Sequence, residues 1–152
     1  MDYSKLGLRA GLEIHQQLAT SSKLFCRCPV MRSEELPLSI KRKLRPVLSE
    51  LGDLDPAAQY EYLRDRNFVY HWNSQSSCLV ENDEDPPKDL NPEALQIAIQ
   101  ACKLLECEIV DELHVMRKTV IDGSSVSGFQ RTVLVGTNGS LDTSLGAIGI
   151  AI

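Results

Sequence analysis

Polar and apolar residues alternate at the start of this chain. In GLEIHQQL (11–18), Leu12 and Ile14 interleave with Glu13 and His15. Successive side chains of a strand face opposite sides, so the pattern predicts a strand over 7–18. Glu13 and His15 would share its polar face. The stretch NFVYHWN (67–73) alternates in the same way and puts Phe68, Tyr70 and Trp72 on one face of a second strand. Between the two lie TSSKLFCRCPV (20–30), with turn-forming serines ahead of a Cys-x-Cys, and a charged, proline-punctuated stretch over 31–66. A short helix is expected after Asp55-Pro56, because proline suits the first helical position.

The period then changes. Leu95, Ala98, Ile99, Cys102 and Leu105 recur at helical spacing and predict a helix from about Pro92 to Glu106. Asn91 is a good N-cap, Pro92 fits the first position, and Glu93 sits at the positive end of the helix dipole. Strand-like segments follow at 112–122 and 129–136 around the turn GSSVSG (123–128). Asn138-Gly139 signals a hairpin that would return the chain as a last strand over 141–152. The sum is an α+β fold, with a mainly antiparallel sheet and a few helices. The apolar ending LDTSLGAIGIAI has the look of a chain cut inside a sheet. A piece of a larger protein is therefore expected.

Composition narrows the function classes. The 152 residues are 43% hydrophobic and 24% charged, with a net charge of −5. This suits a soluble globular domain and opposes strong nucleic-acid binding by the chain alone, which needs clustered cations. The opening MDYSKLGLRAGLEIH lacks a signal-peptide pattern, and no apolar run reaches the roughly 20 residues that span a bilayer. Five cysteines without disulfide spacing fit a reducing cytoplasm.

Three groups could carry chemistry. Glu13 and His15 are either an ordinary polar strand face or a divalent-metal site beside a nucleotide. A carboxylate suits Mg²⁺, whereas an imidazole suits it less and could orient Glu13 or a metal-bound water. In MRKTVIDGSSVSGFQRT (116–132), Arg117 and Lys118 precede a Gly/Ser turn containing Ser124 and Ser125, and Gln130 and Arg131 follow it. Cations on both sides of such a turn suit phosphate, although the order is not that of a P-loop. The other reading is a flexible turn with solvated charges. Cys26, Cys28 and Cys78 could supply three thiolates, one short of the usual structural zinc set. Cys102 belongs to the apolar helix face, and Cys107 has no evident role. The runs KRKLRP (41–46) and ENDEDPP (81–87) read as solvated surface.

In this order, GLEIHQQL, KLFCRCP, KRKLRPV, CLVENDEDPP, LNPEAL, HVMRKTVIDGSSVSGFQRT and the TNGS turn resemble the GatB/GatE family of glutamyl-tRNA(Gln) amidotransferases, in its archaeal GatE branch. The resemblance covers essentially the whole chain. The bacterial relative, GatB, shares the GLEIH opening. The resemblance implies the N-terminal part of a catalytic cradle domain, in a carbon–nitrogen ligase of protein biosynthesis. Such an enzyme uses ATP and Mg²⁺ to phosphorylate the γ-carboxyl of glutamate on tRNA(Gln). Ammonia from an asparaginase-like partner subunit then displaces the phosphate. Glu13 and His15 would hold Mg²⁺, with Lys118 also catalytic. Arg117, Lys118, Ser124, Ser125, Gln130 and Arg131 would contact the nucleotide or acyl phosphate. The bacterial relative completes a zinc site with a Cys-x-x-Cys; here Cys78 matches its second cysteine and Gln75 stands in place of the first. The family carries a further acidic motif after the final strand, so this piece alone is expected to be inactive. The competing expectation is a non-catalytic scaffold module that contacts the ammonia-donating partner.

Overall fold

The computed structural model describes residues 3–7, 11–49, 51–121, 128–144 and 146–152. The helix expected from Pro92 is α2, Pro92–Leu104. The Asn91 side chain accepts hydrogen bonds from the Glu93 and Ala94 amides at 2.9 and 3.4 Å. It also donates to the Ser22 carbonyl at 2.8 Å, so the cap ties the helix to the segment ahead of Cys26. Ala94 and Cys102 are the residues this helix buries. At its other end Glu106 takes a left-handed conformation (φ 56°), and the Cys107 amide donates to the Cys102 carbonyl at 2.8 Å.

Two glycines receive this helix end. A Cβ at Gly136 would lie 2.8 Å from Cys102 Sγ, and one at Gly139 would lie 2.8 Å from the Leu105 carbonyl oxygen and collide with Cys107 Sγ. Close approach of backbone to thiol is what requires glycine at both positions.

The shorter helix α1, Pro56–Leu63, begins as expected, with the Asp55 carboxylate accepting from the Ala58 amide at 2.9 Å. The strands are β1 (Leu38–Lys43), β2 (Asn67–Trp72), β3 (Glu108–Ile109), β4 (Met116–Val120), β5 (Gly128–Thr132), β6 (Gly136–Thr137), β7 (Gly139–Thr143) and β8 (Gly146–Ile150). Every pairing among them is antiparallel, in four two-stranded sheets: β1 with β2, β3 with β6, β4 with β5, and β7 with β8. Phe68, Tyr70 and Trp72 do share the less exposed face of β2.

Three expectations need correction. Residues 11–18 form no strand; Leu12 and Ile14 are 89% and 83% exposed. No described strand pairs with this segment, and alternation without a neighbouring backbone to take its N–H and C=O groups does not make a ladder. The span 129–136 is not one strand but divides between β5 and β6, which belong to different sheets. Asn138 is left-handed (φ 56°), as its signal implies, yet it links β6 to β7, which do not pair. The closing hairpin turns at Thr143–Gly146 instead, with Gly146 at φ 118° and the Thr143 hydroxyl donating to the Gly146 carbonyl at 2.7 Å.

Candidate functional site

The residues singled out at the start of the chain meet one from its later part. His15 Nε2 lies 3.2 Å from Glu13 Oε1, and Lys118 Nζ lies 4.0 Å from Glu13 Oε2. All three side chains are exposed. Glu13 and His15 thus sit side by side without a strand to hold them. Lys118 reaches them from the middle of β4, where Gln130 of β5 is its cross-strand partner. Ser124 and Ser125 lie outside the described residues.

Neighbouring residues of β4 point to opposite faces, and the two faces do different things. Arg117, one residue before Lys118, turns toward Asp83. Its Nε and Nη2 donate to the two carboxylate oxygens at 2.8 and 2.6 Å, and its Nη1 donates to the Arg45 carbonyl at 2.7 Å. Arg131 is paired with Arg117 across the hairpin; it lies 3.6 Å from Asp83 and donates to the Asp85 carbonyl at 2.8 Å. Arg42 of β1 completes the ring at 3.8 Å from Asp83 and 3.3 Å from Glu84. The Phe129 ring lies beneath the three guanidinium carbons at 5.3 Å (Arg117), 5.7 Å (Arg131) and 5.8 Å (Arg42).

The Asp83 side chain is only 6% exposed and that of Arg42 only 9%. Arg42 from one charged run read as solvated surface and Asp83 from the other are therefore buried together, while Lys41, Lys43 and Arg45 stay exposed. Each run alone is indistinguishable from surface; only the encounter of 42 with 83 excludes water from both. Arg131 Nε, Asn82 Nδ2 and Glu81 Oε2 remain buried without a partner.

The third group is the thiol cluster. The Sγ atoms of Cys26, Cys28 and Cys78 lie within 4.8 Å of one another. Burial, with hydrogen bonds shared with Cys78 and Cys26, pushes the Cys28 thiol up to about 12. Burial likewise raises Cys26. Without metal, Cys26 and Cys28 therefore keep their protons at neutral pH. Sulfurs around a tetrahedral zinc sit about 3.8 Å apart, so only a small contraction would bring these three onto one cation. The cluster could hold a metal, with three donors of the type that soft divalent ions prefer.

The GatB/GatE catalytic domain family matches residues 8–151. The chain belongs to that family. It is 54% identical to the GatE-type glutamyl-tRNA(Gln) amidotransferase subunit of Methanopyrus kandleri over 99% of its own length and 24% of the relative's. Its identity to the Aeropyrum pernix counterpart is 54%, covering 93% of this chain and 22% of that protein. For Archaeoglobus fulgidus the figures are 52%, 99% and 25%. The chain thus spans about a quarter of the length of the curated relatives it matches.

In this member of the GatB/GatE catalytic domain family, a cavity of about 430 Å³ lies where the residues after His15 meet β5. Gln16, Gln17, Lys23, Glu81, Phe129 and Arg131 are among its walls. Lys23 Nζ bonds Glu81 Oε1 at 2.6 Å, so the cavity has a polar wall beside its apolar ones. No pattern along the chain marks Glu81 or Lys23 as lining residues. No helix among the described residues is long and apolar enough to cross a membrane.

Proposed function

We propose that this GatB/GatE catalytic domain serves, as part of a catalytic cradle, in the ATP-dependent conversion of Glu-tRNA(Gln) to Gln-tRNA(Gln) in the cytoplasm. The observation that carries the reading is the convergence of Glu13, His15 and Lys118. The name borne by the archaeal relatives supplies the substrate. Ammonia would come from an asparaginase-like partner subunit, and the tRNA would be held by the complete protein.

The donor set fits a nucleotide-bound Mg²⁺. Such ions take one or two carboxylates and complete their shell with water and phosphate oxygens, which the exposed Glu13 allows. Glu13 would ligate, and His15, in contact with it, would orient the carboxylate or a bound water. Mg²⁺ would neutralise charge on the phosphates during transfer. The Lys118 ammonium, beside Glu13, would attract the phosphoryl oxygens and hold them in line with the attacking γ-carboxylate. That carboxylate oxygen would attack the γ-phosphorus of ATP and release ADP. Ammonia would then attack the acyl carbon, phosphate would depart, and a proton would be lost from nitrogen.

Gln130, which pairs with Lys118 across the hairpin, together with Ser124 and Ser125, is assigned to the nucleotide or acyl phosphate. Arg117 and Arg131 are assigned to it as cations on the reverse face, anchored by Asp83 and contributing field more than contact. Cys26, Cys28 and Cys78 are assigned to a zinc ion that braces the loops carrying them.

Glu13→Ala in the complete protein tests the reading. Mg²⁺-dependent ATP turnover in the presence of Glu-tRNA(Gln) should fall at least a hundredfold, with the circular dichroism spectrum unchanged. Normal turnover would remove Glu13 from the metal site.

A further inference from the structure

Three thiols do not complete the shell of a tetrahedral cation. Among the described residues no fourth His, Cys, Asp or Glu joins Cys26, Cys28 and Cys78. Open space lies against them instead, as a cavity of about 410 Å³. Its remaining walls are Arg27, Pro29, Ser74, Gln75 and Lys88. The Lys88 amide donates to the Phe25 carbonyl at 2.9 Å, which fixes this residue beside the Cys-x-Cys. Arg27 and Lys88 are exposed, and neither is paired with a carboxylate among the described residues.

We infer that the cluster is a three-thiolate metal centre whose fourth position opens into this cavity. That position takes an exchangeable small donor, for which a low-molecular-weight thiolate is the matched ligand. The inference rests on the assignment of the cysteines to zinc. Three sites filled by protein and one left open is the arrangement that lets a zinc ion accept an outside ligand. Charge selects the ligand. Three thiolates and a divalent cation sum to one negative charge, and a fourth thiolate brings the sum to two. Arg27 and Lys88 offset both charges at the cavity wall, whereas a neutral donor would leave the cations in excess. Sulfur also matches the softness of the existing set. In the exchange a metal–oxygen bond to water breaks and a metal–sulfur bond forms. The incoming thiol's proton passes to solvent, and nothing is oxidised or reduced.

The test uses the purified protein loaded with one equivalent of Zn²⁺ in thiol-free buffer, then titrated with free cysteine. X-ray absorption at the zinc edge should count three sulfurs and one oxygen or nitrogen before the titration, and four sulfurs after it. In the Co²⁺-substituted protein the sulfur-to-metal charge-transfer band should rise by about one third, in proportion to the sulfur count. Arg27→Ala with Lys88→Ala should raise the half-saturating cysteine concentration about fivefold while leaving metal content unchanged. Failure to bind Zn²⁺ or Co²⁺ would overturn the zinc assignment and the inference together. Metal that stays bound with an unchanged spectrum on adding cysteine would overturn the open position alone. In that case a spectrum altered by Gln75→Ala would identify the Gln75 amide as the fourth ligand.

Discussion

Replacing Asp83 by asparagine removes one charge from the centre of three guanidiniums and leaves the side chain's size nearly unchanged. The wild-type carboxylate accepts two hydrogen bonds from Arg117, at 2.6 and 2.8 Å, with Arg131 and Arg42 at 3.6 and 3.8 Å. Removing one partner of a fully buried pair costs about 3–5 kcal/mol, because the remaining charge is stranded. Here the loss is smaller. Arg117 keeps the Arg45 carbonyl, Arg131 keeps the Asp85 carbonyl, and Arg42 keeps Glu84. The asparagine oxygen can also still accept one bond. A destabilisation of about 2–3 kcal/mol is expected. Urea unfolding is the suitable assay, because guanidinium chloride would screen the effect under study. The loss should change little between 0.1 and 0.5 M NaCl, since buried charges are poorly screened. A double-mutant cycle with Arg117→Met should return a coupling of at least about 1.5 kcal/mol. A loss under about 0.5 kcal/mol with no coupling would refute the buried network, and charges 42 and 83 would then be solvated after all.

Three other outcomes are expected. In the complete protein, Lys118→Ala should raise the apparent KM for ATP or lower kcat about tenfold, with little change in urea midpoint because the side chain is exposed; unchanged kinetics would remove it from the site. Gly139→Ala should destabilise by about 1–3 kcal/mol, because its Cβ would press on the Leu105 carbonyl oxygen at 2.8 Å; an unchanged melting temperature would show that the helix end can shift freely. The Cys28 thiol, at about 12 when folded against 9.0 for an ordinary cysteine, binds its proton more tightly in the folded chain. Its contribution to metal-free stability is therefore full below pH 9.0 and falls as the pH rises toward about 12. Urea unfolding of the metal-free protein from pH 8 upward should show this decline; stability that rose with pH over that range would contradict the burial of the thiol.

Local signals and long-range ones fared differently. The caps of both helices and the alternation of β2 were legible, because each is set by residues within a few positions of one another. The thiol trio was legible as a donor set, but its closeness in space depends on the loop that returns Cys78 to the Cys-x-Cys. Residues 11–18 show the opposite case. Their alternation is plain, yet a strand exists only when another backbone lies beside it. Burial of charge was not legible at all, because KRKLRP and ENDEDPP each look solvated until they face one another.

By itself, then, the sequence determined the helices with their caps, the antiparallel α+β character, and the residue types available for chemistry. It grouped Arg117 and Lys118 as cations of one phosphate site, and the pairing of β4 with β5 put them on opposite faces. The tertiary structure alone decided which of these cations found Asp83 and which found Glu13, and which thiols share a centre. The physical reason is range. Capping and periodicity act along a few residues of backbone, whereas desolvation of a charge depends on whatever distant segment arrives to exclude water and supply the opposite sign.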